Sequence, residues 1–454
     1  VVVFNPLGFD RSDLVKVKLP DGYENAAVTD KNGKMVPSQN DAEGNTVFFA
    51  VEVPSMGYAV YGIRKAGPAG GGGAVSLSGA DSMGGAIGGG TAGTAADAPR
   101  EQFGRVLENR YFRIKFDENM NISSLFDKRN SREVIKPGQR ANVLQAFEDK
   151  PHNFDAWNID IYFEEKMWEI ANVESAEFVE SGDVKTTIRV VRKFCDSSIV
   201  QDISMYNDIP RIDFKTKIDW KETQVMLKAA FPVDIHSDKA AYEIQYGNVE
   251  RPTHRNTSWD QARFEVCAHK WADLSEDGYG VSLLNDCKYG YDIKDNVMRL
   301  TLLKSAKDPN VDADREIHEF TYSLYPHADG FKAAGTTRMA YSLNCPLLAV
   351  TENGHAGSLP QEYSLVKADC ENVIIEVVKK AEDSEDIIIR LYEYFNRRSA
   401  VKVSLGAAIA SVWECDLMEN NLNGMPEVGL EHGEKDFAFD IKPYEIKTFK
   451  LRLK

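Results

Sequence analysis

The sequence predicts a mainly β protein, a large antiparallel two-sheet stack flanked by smaller β-sandwich domains. The first observation is alternation. Phe112, Ile114 and Phe116 interleave with Tyr111, Arg113 and Lys115. Ile212, Phe214, Thr216, Ile218 and Trp220 interleave with Arg211, Asp213, Lys215, Lys217 and Asp219. A period of two marks strands packed on one face and wet on the other. The second observation is succession. Thr186–Val191 and Ile199–Tyr206 read the same way, and the turn Asn207-Asp208-Ile209-Pro210 leads into the next strand. Strand follows strand with little helix between, so the sheets are expected to be antiparallel.

The elements follow in order. Residues 1–65 read as a small β domain: Val1–Phe4 closed by Asn5-Pro6, turns at Asp21-Gly22, Asp30–Gly33 and Asp41–Gly44, and a strand over Val47–Val53. Residues 66–100 are rich in Gly, Ala, Ser and Thr and almost uncharged. Such a stretch buries too little apolar surface to offset its ordering entropy, and reads as a linker or insertion. Residues 101–345 carry the large two-sheet stack. Residues 346–454 form a last β-sandwich domain, with strands over Val373–Val378, Ile387–Tyr392, Val401–Leu405, Val412–Cys415, Phe437–Ile441 and Glu445–Leu453. Pro443 is expected at a strand start or edge, where no ladder donor is lost.

Composition excludes some functions. The 454 residues carry a net charge of -16 and a pI of about 5.1. An acidic surface argues against nucleic acid and anionic membranes as partners. No run approaches the ~18 apolar residues of a membrane span. The six cysteines are scattered without a CxxC pair, and read as buried free thiols of a reducing, cytoplasmic compartment.

Candidate chemistry concentrates in Arg251–Asp292. Trp259, Trp271, Tyr279, Tyr289 and Tyr291 stand there among amide, carboxylate and cationic side chains. Flat rings suit the C–H faces of a sugar, and the polar groups suit its hydroxyls. Two loops are the candidate cleft walls. FDAWNID offers Asp155, Trp157 and Asn158; NDCKYGYD offers Asn285, Asp286, Lys288 and Tyr289, with Gly290 expected in a tight turn and Lys288 able to pair with Asp286. The eight histidines form no HExxH or close His-x-Asp pair, so no metal ligand is assigned. The acids include no pair that sequence can single out as catalytic, so none is assigned as nucleophile or acid/base. HEFTYSLYPH reads as a core strand with His318, Phe320, Tyr322 and Leu324 on one face.

Several long phrases carry a family resemblance. FNPLGFDR (4–11), ANVLQAFEDKPHNFDAWNIDIYF (141–163), RPTHRNTSWD (251–260), ARFEVCAHKWADLSE (262–276) and LLNDCKYGYD (283–292) keep one family's order and spacing. So do HEFTYSLYPH (318–327), YSLNCPLLAV (341–350), WECDLME (413–419) and KPYEIKTFKL (442–451). The chain resembles the C-terminal region of α-mannosidases of glycoside hydrolase family 38, in the branch with bacterial and cytosolic enzymes. The resemblance implies a galactose-mutarotase-like supersandwich and retaining, zinc-dependent hydrolysis of terminal α-mannosides in oligosaccharides. It places the zinc ligands, nucleophile and acid/base group in an N-terminal catalytic α/β domain, absent here, and implies a homo-oligomer. Asn158 stands where the family phrase usually has Asp. Competing readings are a stand-alone carbohydrate-binding module and, by fold analogy alone, a sandwich with its own mutarotase-type acid/base chemistry.

Overall fold

A computed structural model describes residues 1–23, 26–65, 105–422 and 429–454. The Gly/Ala-rich segment 66–100 lies outside the described residues. Antiparallel sheets dominate, as the alternation predicts.

The centre is a stack of two sheets. One has nine strands, ordered Val173–Ser181, Lys185–Phe194, Ser197–Tyr206, Ile212–Asp219, Ile317–Ala328, Tyr279–Asn285, Trp271–Glu276, Lys239–Ile244 and Gly247–Pro252. The other has six, ordered Met167–Glu169, Val143–Glu148, Val225–Pro232, Val297–Lys304, Gly290–Lys294 and Val266–Cys267. Alternate residues from both enter one core. Phe214 and Tyr322 of the larger sheet stack at 5.0 Å between ring centroids, and Phe231 of the smaller meets Tyr322 edge-on at 6.2 Å. Such aromatic pairs each add about 0.5–1.5 kcal/mol beyond the area they bury. A four-stranded sheet containing Phe112–Phe116 and Ile122–Asp127 closes the same core.

The hydrogen bonding moves one boundary. Leu348–Val350 and Glu362–Ser364, assigned by sequence to the last domain, pair with Val2–Asn5 and Gly57–Val60 of the first unit. A three-residue strand shows its alternation but not its partner, so the pattern alone could not place them. The last sandwich packs a three-stranded sheet with Ser399–Leu405 on a four-stranded sheet with Ile387–Glu393, around Phe437, Phe449 and Leu391. Pro443 sits in the turn between Asp436–Ile441 and Ile446–Leu453 rather than in a strand. The cysteines are free, but only Cys415 is buried. Cys195, Cys267 and Cys287 are exposed, which corrects the expectation of buried thiols.

A helix over Thr336–Asn344 packs on the nine-stranded sheet and caps a buried polar cluster. His327 Nε2 lies 2.9 Å from Asp273 Oδ2. The Ser282 hydroxyl donates to the same Oδ2 at 2.8 Å and meets Thr336 Oγ1 at 2.8 Å, while the Ser275 hydroxyl donates to Asp273 Oδ1. His327 Nδ1 faces the Asp329 carbonyl at 3.1 Å. Buried charge is tolerated only when paired and hydrogen-bonded. Asp273→Ala removes the carboxylate shared by His327 Nε2 and the Ser275 and Ser282 hydroxyls. We expect it to destabilise the fold by about 3–5 kcal/mol, read as a lower midpoint in urea unfolding, whereas exposed Lys217→Gln stays near the parent.

Candidate functional site

The site grows from the unshared face of the six-stranded sheet. Leu227, Ala229 and Phe231 point into the central core, so Met226 and Lys228 point the other way. Two loops cover that face, residues 149–166 and 253–265. Phe163 and Phe264 insert beneath them against Phe147 and Met226. Lys228 is wholly buried among them.

A lysine there requires partners, and it has them. Its ammonium donates to Glu265, Asp292 and Thr301. Asp292 also receives Arg299 Nε at 2.6 Å. Arg299 continues to Glu164 Oε1 at 3.0 Å, and Arg255 grips both oxygens of Glu164 at 2.9 and 3.0 Å. Burial works to raise the Glu164 carboxyl, yet Arg255 and Arg299 hold it below the usual carboxylate range. Burial works to lower Arg299, yet Asp292 and Glu164 raise it. Burial raises Glu265 against the pull of Lys228. The chain of charges therefore ties both loops to the sheet and to each other.

What the loops present is aromatic. Phe154, Trp157 and Tyr162 are exposed on the first, Trp157 to 70%. Trp259 is 75% exposed on the second. Its four-residue helix Ser258–Gln261 is fixed by a capping box, with the Asp260 amide donating to Thr257 Oγ1 and the Thr257 amide to the Asp260 carboxylate. Phe154 is held at φ 58°, a left-handed conformation that costs a bulky residue energy. The amides of Trp157 and Asn158 both donate to its carbonyl. Phe154 and Trp157 meet edge-on at 6.4 Å.

The sequence candidates divide on this geometry. Trp157, Asn158 and Tyr289 are exposed. Asn158 donates its amide to the Asn153 carbonyl. Asp155 is a buried anchor instead of an open cleft group: it accepts the Lys307 amide at 2.7 Å and Gln224 Nε2 at 3.3 Å, and its carbonyl receives Lys304. Asn285 is likewise buried, and its carboxamide is spent on the His269 carbonyl, Tyr291 and the Lys288 amide. Asp286 binds the Thr321 amide rather than Lys288. Lys288 lies over the Phe320 ring at 4.5 Å. Gly290 opens a strand without a positive φ; its need is space, because a Cβ would stand 3.0 Å from Glu265 Oε1 and from Thr301 Cβ. Among the described residues no hydrogen bond, ion pair or ring contact links 154–158 to 285–289.

The aromatic block splits too. Trp271, Tyr279 and Tyr291 are core residues, while Trp259 and Tyr289 reach solvent. A cavity of about 20 Å³ beside Tyr242, Arg251, His254 and Arg263 holds little more than one water and no sugar ring. Among the described residues no three His, Cys, Asp or Glu side chains converge as metal ligands. The carboxylates under the loops are already bound to cations, so this site does not fit a resident zinc. The residues that sequence reading missed are Lys228, Arg299, Glu164, Arg255, Asp292 and Glu265. One signal was available: a lysine centred in the apolar run Val225–Pro232.

The comparisons agree with this architecture. Residues 107–312 match the Glycosyl hydrolases family 38 C-terminal domain, and residues 372–449 match the Glycosyl hydrolases family 38 C-terminal beta sandwich domain. The chain belongs to glycoside hydrolase family 38 and carries that family's C-terminal region. Alpha-mannosidase G of Dictyostelium discoideum is 36% identical over 363 residues, 76% of this chain and 32% of that protein. Alpha-mannosidase 2C1 of Homo sapiens is 36% identical over 319 residues, 69% of this chain and 30% of that protein. The chain thus spans about a third of the length of these curated relatives. The structure of an alpha-mannosidase from Enterococcus faecalis V583 superposes with a TM-score of 0.71 at 15% identity, over 99% of this chain and 56% of that one. At that identity the likeness concerns the fold.

Glu164 gives a direct test of the clamp. Its folded value is lowered, so its stabilising contribution is present above the unfolded carboxylate value and is lost as pH falls through the folded one. We expect limited proteolysis within residues 152–163 to accelerate as pH falls through and below the ordinary carboxylate range. Glu164→Gln should be cut faster at neutral pH and change less on the same descent.

Proposed function

We propose that this chain is the β-rich C-terminal portion of a retaining, zinc-dependent α-mannosidase acting on terminal α-mannosides of oligosaccharides. In this reading the sandwich supports and lines the sugar cleft. The nucleophile, acid/base group and zinc ligands come from polypeptide in the part of its relatives' length that this chain does not span. The single observation that carries the reading is the clamped loop pair, which fixes Phe154, Trp157, Tyr162 and Trp259 on the surface above a buried ionic network.

Exposed rings on a rigid base suit two contacts. Their faces stack on the C–H surface of a sugar, and their edges pack against a neighbouring domain. Positioning of this kind matters to rate, because a displacement of about 1 Å in a substrate-holding group costs about 100-fold. The names of the relatives, alpha-mannosidases in Dictyostelium discoideum and Homo sapiens, supply the reaction class. That the chain spans only about a third of their length supports the division of labour.

Residues 1–454 alone should not turn over p-nitrophenyl α-mannoside. The complete enzyme should do so with the α-anomer as first product, and chelation of its metal should abolish the activity. In the complete enzyme Trp157→Ala should lower kcat/KM about tenfold, equivalent to about 1.4 kcal/mol. Robust turnover by residues 1–454 alone refutes the division of labour. Tight mannose binding by the isolated chain in calorimetry supports a stand-alone binding module in its place.

A further inference from the structure

A second concavity shares no lining residue with those loops. The N-terminal β unit, the supersandwich and the helix Thr336–Asn344 meet around a groove of about 240 Å³. Three arginines converge on it, one from each element: Arg11, Arg211 and Arg338. Arg211 is satisfied, with Nε and Nη2 donating to the Asp213 carboxylate at 2.8 and 3.2 Å and Nη1 resting on Met339 Sδ. The other two are not. Arg11 is 6% exposed; its Nε donates to Asn5 Oδ1 and its Nη1 reaches Asp13 only at 3.5 Å, while Nη2 has no acceptor. Arg338 donates Nη2 to the Glu371 carbonyl and lies over the Phe9 ring, while its buried Nε has no acceptor.

The acceptors that line the groove are spent elsewhere. Asp10 takes Lys367 and the Ser55 amide; Asp208 takes Arg110; Asp13 takes the Leu14 amide. Among the lining residues and their direct ionic partners, five cations face four carboxylates. One positive charge and two buried N–H groups are left over. A buried donor without a partner costs about 1–3 kcal/mol, and native folds rarely leave one unexplained. Guanidinium pairs are the usual receptors for planar or tetrahedral oxyanions. Phe9, Ile209 and Pro210 add apolar wall, and junctions between units are where small-molecule sites concentrate.

We propose that this groove binds a small oxyanion, a carboxylate or phosphoryl group on a compact body, held by Arg11 and Arg338. The ligand touches all three elements at once, so its binding also locks their junction. The site is separate from the aromatic loops and does not depend on the mannosidase reading.

The test is calorimetric titration of the chain with inorganic phosphate and, separately, with acetate at fixed ionic strength, alongside thermal unfolding. One-to-one saturable binding of either probe, with a raised unfolding midpoint, is the expected result. Saturation by phosphate alone assigns a phosphoryl ligand, and saturation by acetate alone a carboxylate. Arg338→Gln, a partly exposed helix position, should weaken binding at least tenfold while circular dichroism stays native; Arg11→Lys should do the same. Lys217→Gln, on the exposed face of the nine-stranded sheet, should bind as the parent does. The proposal is overturned if neither probe saturates at concentrations on the order of tens of millimolar, or if binding persists undiminished in both arginine variants.

Discussion

The six-stranded sheet has two faces and only one of them belongs to the central core. That constraint governs the rest. The inner face, through Leu227, Ala229 and Phe231, builds the stack with the nine-stranded sheet. The outer face would expose Met226, Phe147 and the stem of Lys228 unless something covered it. Two loops do so, and a loop carries no ladder of its own to hold it in place. The ionic chain from Lys228 through Asp292 and Arg299 to Glu164 and Arg255 supplies the attachment. Buried ion pairs contribute little net stability compared with apolar packing, but they are intolerant of displacement. Here that intolerance holds in place the two loops whose aromatic rings reach solvent.

Much of the fold was legible because alternation is a local property. Phe112, Ile114 and Phe116 are buried as their spacing requires, and so are Ile212, Phe214 and Ile218. The partners of short strands were not legible. Leu348–Val350 joins a strand more than three hundred residues earlier, and nothing in three residues encodes that. The helix Thr336–Asn344 opens at Gly335, whose φ of 68° favours glycine, yet the strand-by-strand reading passed over it.

The candidate site was half legible for the same reason. Composition marked Arg251–Asp292 as aromatic and polar, but it could not sort the rings. Trp271, Tyr279 and Tyr291 alternate into the core, whereas Trp259 rides on an isolated turn of helix. Nor could it show that Asp155 and Asn285 are consumed by backbone amides and carbonyls close to them in space. The ionic clamp was hidden because all but one of its pairs, Arg299 with Asp292, join residues 37 to 135 positions apart. Lys228 is the exception: a charge in the middle of an apolar strand announces a buried partner even when the partner cannot be named.

The central proposal is that in the complete enzyme the clamped rings meet catalytic polypeptide and substrate. Hydroxyl-radical footprinting of Trp157 and Trp259 measures this directly, in residues 1–454 and in the uninterrupted enzyme with and without a mannose-type inhibitor. The account predicts rapid oxidation of both indoles in the isolated chain, slower oxidation in the complete enzyme, and further protection of Trp157 by the inhibitor. Equal oxidation of both residues in all three samples contradicts it.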